Sequence, residues 1–117
     1  MATPENFLPP GSAETQVVTI SGTGTLSNAA NLLDKASLVG AITGTGWAAA
    51  TMGFQVSMDG SSYADLYDSS GVFATSTNTG AFALAVNPQL TAGWKYVKVK
   101  SSANQVNQNI TLVKRPV

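Results

Sequence analysis

Along Met52–Asp68 (MGFQVSMDGSSYADLYD) apolar and polar positions alternate. Met52, Phe54, Val56 and Met58 fall on one side, with Gly53, Gln55, Ser57 and Asp59 on the other. A period of two is that of a strand with one buried face. Asp59-Gly60 follows, a pair suited to a tight hairpin turn because glycine tolerates positive φ. Beyond it Leu66 points one way and Tyr63, Asp65 and Tyr67 the other. The pattern predicts an antiparallel hairpin over Met52–Asp68, with an apolar inner face and an aromatic outer one.

The same alternation recurs along the chain. Gln16–Ile20 is β-branched and is expected to end at Ser21-Gly22. Asn28–Lys35 is compatible with one or two helical turns, a length that needs packing to persist. Leu38–Ile42 reads as a strand of small residues, followed by a turn around Thr45. Phe73–Thr77 is expected to be a short edge strand, and Asn78-Thr79-Gly80 a turn. Phe82, Leu84 and Val86 alternate with Ala81, Ala83 and Ala85 until Asn87-Pro88 ends the strand. Trp94–Ser101 places Val97 and Val99 inward, with Tyr96, Lys98 and Lys100 outward. Asn109–Lys114 places Ile110 and Leu112 inward. About eight short strands separated by turn residues predict an all-β antiparallel sandwich, a complete or half jelly roll. Residues 15–117 are expected to form one domain. Residues 1–14, with Pro4, Pro9 and Pro10, read as an extended arm. Its Phe7 and Leu8 belong either to a frayed tail or to an anchor on a neighbouring subunit.

Charge changes the picture of the surface. Only 10% of residues are charged, so Ser, Thr, Asn and Gln must supply most of the polar exterior. Net charge is zero but segregated: residues 1–93 sum to −5 and residues 94–117 to +5. Two readings are open, neutralisation within one sheet or a bipolar surface that docks on neighbours. Five late bases offset by equal acids make a poor phosphate track, so no nucleic acid is expected as a partner. No stretch has the roughly 18 apolar residues of a membrane span, and no membrane partner is expected. No basic and apolar leader is visible at the N-terminus.

Candidate chemistry is sparse. There is no cysteine and no histidine, which removes disulfides, the usual nucleophile–base pairs and most zinc sites. Asp65 and Asp68 are three apart and would face opposite sides of a strand, so they do not form an acid–base pair. Asp59, Asp65 and Asp68 would hold calcium only if the hairpin ends curled together, whereas Asp59 is simply explained by its turn. Gly22-Thr-Gly24 and Gly44-Thr-Gly46 are not completed to a phosphate-binding loop. No catalytic residue, metal or cofactor is expected. Tyr63, Tyr67, Trp94 and Tyr96 would share an outer face if their strands are neighbours, suited to packing on another subunit or stacking on a sugar. Trp47 and Trp94 stand at strand starts, where a core-lid role is favoured. Lys98 and Lys100 either protect a sheet edge or meet acids of a neighbouring protomer.

FQVSMDGSSYADLYD, followed by GWKYVKVKSS and the ending Thr111-Leu112-Val113-Lys114-Arg115-Pro116, resembles a pattern of small virion proteins of tailed phages. The resemblance covers about residues 47–117. It implies a non-enzymatic capsid decoration (cement) protein on the virion surface, made in the host cytoplasm. Its partners would be the major capsid protein and itself, as a homotrimer. The candidate assembly contacts are Phe7, Leu8, Tyr63, Tyr67, Tyr96, Lys98 and Lys100. A second resemblance, carried by S-x-DG and Trp94-Lys95-Tyr96-Val97-Lys98-Val99, is to discoidin-like galactose-binding jelly rolls, which implies a carbohydrate-binding tail adhesin. Lys95 stands where those proteins carry arginine, and their cysteine pair is absent.

Overall fold

The computed structural model describes residues 14–32, 36–68, 71–72, 75 and 77–116. Nine strands run through them: β1 (Glu14–Leu26), β2 (Ala30–Asn31), β3 (Ala36–Thr43), β4 (Met52–Ser57), β5 (Ala64–Asp65), β6 (Tyr67–Asp68), β7 (Gly71–Val72), β8 (Ala83–Ala85) and β9 (Tyr96–Pro116). Seven join in one antiparallel sheet, and β6 and β7 form a separate ribbon. This is the expected all-β class, in its half jelly-roll form.

The organising element is β9 rather than the hairpin. Its 21 residues form a single strand where the pattern suggested two separated by a loop. Straight, it would span about 70 Å at roughly 3.3 Å per residue, yet the longest dimension of the molecule is 50 Å. It must therefore bend, and contacts at its ends show how far. Tyr96 pairs with Asn31, while Lys114 Nζ, near the other end, donates to the carbonyl of the same Asn31 at 2.9 Å. The sheet curls so that its two halves face each other.

The bend lies over the polar stretch Ser101–Gln108. Between the pairs Gly24↔Gln105 and Leu26↔Lys100, β9 carries extra residues that turn a corner, braced by Ser101 Oγ donating to the Ala103 carbonyl at 2.6 Å. Further on, Asn107 takes a positive φ of 48°, a conformation that asparagine adopts more readily than most residues. Opposite it β1 bulges at Ser21-Gly22, where Gly22 has φ 62° and donates its N–H to Asn107 Oδ1 at 2.8 Å. The bulge lets β1 run on to Leu26 instead of stopping at Ser21-Gly22, as the pattern suggested. It also resets the alternation on β9: Val97 and Val99 are buried before it, Ile110 and Leu112 after it.

The core lies between the two halves. One half contributes Val18, Ile20, Leu38, Ala41, Ile110 and Leu112, the other Met52, Phe54, Val56, Val97 and Val99. Trp47 and Val86 are buried with them, and Phe82, Leu84 and Trp94 pack against the cluster. The core-lid reading of both tryptophans therefore describes their positions.

Three local expectations change. Asn28–Lys35 is not helical where it is described: Ala30 and Asn31 form β2, and Asn28 closes the curl against β1. Thr19 N–H donates to Asn28 Oδ1 at 2.7 Å and Asn28 N–H to the Thr19 carbonyl at 3.2 Å. Tertiary partners outweigh the small local helix preference. The hairpin turn is also longer than two residues, because β4 ends at Ser57 and β5 begins at Ala64. Met58 consequently leaves the inner face and is 49% exposed. Most of Phe73–Thr77 lies outside the described residues, as do Phe7 and Leu8 of the arm; Thr75 N–H donates to the Met52 carbonyl at 2.9 Å.

Candidate functional site

The outer face of β5, β4 and the first part of β9 gathers most of the sequence-predicted contacts. Gln55 of β4 sits between Asp65 of β5 and Lys98 of β9, and Gly53 lies opposite Lys100. Since β5 and β9 both run antiparallel to β4, they run parallel to each other. Two lysines of β9 reach across β4 in the same direction. Lys98 Nζ stands 4.2 Å from the centroid of the Tyr63 ring. Lys100 Nζ bonds both carboxylate oxygens of Asp65, at 3.0 and 3.2 Å, with no side chain at Gly53 to block it. Gln55 Nε2 adds a bond to Asp65 Oδ1 at 3.1 Å.

These contacts correct the reading of Lys98 and Lys100 as edge protection. They stand on the most interior strand of the sheet, flanked on both sides. Neutralisation within one sheet is what Lys100 and Asp65 achieve. The pair is partly solvated, with Lys100 42% and Asp65 32% exposed, so it fixes the geometry of the face more than it adds stability.

The turn beside this face is held by two side chains. Ser57 Oγ accepts from the N–H groups of Asp59 and Gly60, at 3.2 and 2.9 Å. Asp59 Oδ1 accepts from those of Ser61 and Ser62, at 2.8 and 2.9 Å. Four backbone donors are thereby satisfied locally, which is why six residues close the hairpin without a two-residue turn. Gly60 has φ 79°, and a Cβ there would sit 3.3 Å from Tyr96 Cε2. The Tyr96 ring thus covers the turn, half-buried. Burial pushes the Tyr63 phenol up, helped by Tyr96 and the Asp59 carboxylate.

The expected four-aromatic face does not form. Tyr63 and Tyr96 come together at the turn, but β4 separates β5 from β9. Trp94 packs against the core, and Tyr67 stands 63% exposed on the β6–β7 ribbon. One face of the Tyr63 ring is occupied by Lys98, which leaves less of it for stacking on a sugar. Sequence reading missed Gln55 and Gly53, which organise the face; their only signal is the alternation that already places them outward. Among the described residues no cluster of three acidic, histidine or cysteine side chains is placed to hold a metal ion.

The Ser62, Ser61 and Ser57 hydrogen bonds lower the Asp59 pKa below its ordinary 3.8. Lys100 first, then Gln55, lower that of Asp65. Both carboxyls bind a proton less readily in the folded chain than in the unfolded one. Their contribution to stability is complete above about pH 4 and is lost as pH falls through the lower folded values. Stability to urea is therefore expected to drop below about pH 4. Asp59→Asn and Asp65→Asn should each flatten that slope, and a slope unchanged in both variants would contradict the assignment.

No family model matches the chain, and no curated protein matches it in sequence. Among solved structures, its fold is similar to that of the SPBc2 prophage-derived protein YomS, with a TM-score of 0.52 at 9% identity over 92% of this chain and 98% of that one. A Yersinia pseudotuberculosis-derived mitogen gives a TM-score of 0.40 at 16% identity, over 90% of this chain and 86% of that one. A chain of the cyanophage Pam1 capsid asymmetric unit gives 0.39 at 16% identity, over 100% of this chain and 92% of that one. The first is a likeness of fold, and the other two carry no functional argument.

Proposed function

We propose that this chain is a non-enzymatic virion structural protein that associates with itself and decorates a phage capsid, with the major capsid protein as its partner. The observation that carries this reading is the use of the polar groups on the hairpin face. Asp59 closes a turn, Asp65 holds Lys100, and Lys98 covers Tyr63. Groups that a catalytic site would keep available are committed to shape, and the chain has neither histidine nor cysteine to replace them. Similarity of fold to a prophage-derived protein supports a phage origin. The arm that precedes β1 would carry Phe7 and Leu8 to a neighbouring subunit, each contributing about 1.5–3 kcal/mol if fully buried there. Tyr67 and Tyr96 would add contacts from the outer faces.

The test is co-sedimentation with shells assembled from the major capsid protein of the virus that encodes the chain. Wild type should pellet with the shells. Deletion of residues 2–13 should leave the far-UV circular dichroism and urea midpoint unchanged while weakening shell binding at least about tenfold, or about 1.4 kcal/mol. Equal binding by the truncated chain would remove the arm from the proposal. No binding by wild type would remove the decoration role.

A further inference from the structure

Strand β8 ends the main sheet, and none of the described residues pairs with its free side. The Thr43 N–H donates to the Phe82 carbonyl at 2.9 Å, and the Val86 N–H to the Val39 carbonyl at 3.0 Å. Leu84, directly opposite Ala41, lies between these two. The even-numbered residues thus turn their backbone groups toward β3, and strand alternation turns those of Ala83 and Ala85 away from it. Among the described residues nothing hydrogen-bonds these outward groups. Sheet edges are usually protected by lysine, proline or a bulge. Residues 81–86 (AFALAV) contain none of these, and no charged residue occurs anywhere in 69–94.

The two outer-face rows that meet Ala83 and Ala85 are uncharged as well. Val17, Thr111, Ile42 and Ala83 form one cross-strand row over β1, β9, β3 and β8. Thr15, Val113, Gly40 and Ala85 form the next. Val17 and Ile42 are 54% and 46% exposed. In contrast, the charged contacts of the hairpin face lie at the β4–β5 end of the sheet.

We infer that β8 pairs with β8 of a second copy of this chain, antiparallel about a two-fold axis at Leu84. That register sets Ala83 opposite Ala85 of the second copy, and Ala85 opposite its Ala83. Each is a hydrogen-bonded pair, and together they supply partners for all four outward groups on each strand. Two identical strands meet at a two-fold axis without steric conflict because the side chains that face each other on the outer side are Ala83 and Ala85, while Leu84, on the axis, is turned to the core. They meet without like-charge repulsion because neither carries charge. An antiparallel pair of identical strands is self-complementary, which favours a second copy over an unrelated extended segment. The arm of another copy is a poorer match, since Pro4, Pro9 and Pro10 remove donors from it.

Sedimentation velocity over a concentration series, with amide hydrogen exchange on the same samples, tests the pairing. Wild type should associate in multiples of two, and association should protect the amides of Ala83 and Ala85. Ala83→Lys places two like charges near the axis and should raise the concentration for half-association at least about tenfold. The double variant Ala83→Lys/Ala85→Asp sets opposite charges across both pairs and should restore association. Because both variants alter exposed positions, rescue by the second separates lost pairing from lost folding. A chain that stays monomeric, or that associates while these two amides exchange freely, overturns the inference. In the second case the decoration role still stands, because shell binding is measured separately. Failure of the double variant to restore association overturns the register.

Discussion

Replacing Trp47 by alanine is expected to lower the unfolding free energy by about 3–5 kcal/mol, the range for deleting a large buried aromatic side chain. Trp47 is 1% exposed and stands edge-on to Phe82, with ring centroids 6.0 Å apart and an interplanar angle of 77°. Its backbone joins two further segments: its N–H donates to the Gly44 carbonyl at 3.3 Å, and its carbonyl accepts from Gly80 at 2.8 Å. The indole anchors both the 44–50 loop and the entry to β8. Its Nε1 has no hydrogen-bond partner among the described residues, and an unpaired buried donor costs about 1–3 kcal/mol. Trp47→Phe removes that donor along with part of the ring, so its cost should be no more than about 2 kcal/mol. Urea denaturation followed by Trp94 fluorescence measures both variants. A loss below about 1.5 kcal/mol in Trp47→Ala would show that the site collapses around the gap.

Gln105 should be nearly as sensitive, for a different reason. Its side chain is fully buried, and both ends of the amide are used. Oε1 accepts from the Ala48 N–H at 2.7 Å, while Nε2 donates to the Ala48 carbonyl at 2.9 Å and to Ser101 Oγ at 3.2 Å. The side chain imitates a strand neighbour and stitches the Trp47 loop onto β9. Gln105→Leu keeps the approximate volume and leaves those groups unpaired, at an expected cost of about 2–3 kcal/mol, since Ala48 itself is exposed to water. Gln105→Glu gives a sharper test. Burial would raise the carboxyl pKa, and only the protonated form can donate to Ala48. The folded variant would then hold a proton that the unfolded chain releases. Its stability should fall as pH rises from about 4 through the raised value, opposite in sign to the acid lability of the wild type. Equal destabilisation at pH 5 and pH 8, by about the same amount, would argue against this role for the buried amide.

These two side chains show where reading the sequence succeeds and where it stops. Trp47 was legible as a core residue because a large apolar ring beside a strand has few other places to go. Gln105 was not. It lies in SANQVNQ, whose polar composition suggests a surface loop, and nothing local reports that the chain bends there and turns one amide inward. The same limit applies to Asn28, whose bonds to Thr19 depend on closure of the sheet. The hairpin face was legible in part: alternation places Tyr63, Asp65, Tyr96, Lys98 and Lys100 outward. Which of them meet depends on β4 lying between β5 and β9, a matter of strand order rather than period.

By itself, the sequence determined the all-β class, the inward residues of β4, β8 and both parts of β9, and the scarcity of catalytic groups. Each follows from side-chain period and residue type, which are local properties of the chain. Tertiary structure alone decided that β9 is one bent strand at the centre of the sheet. It also decided that Lys98 and Lys100 have partners within the chain and that, among the described residues, β8 is left with an open edge. Pairing brings together residues far apart in sequence, and its register depends on bulges such as Ser21-Gly22 opposite Asn107, where two backbone distortions fit only each other.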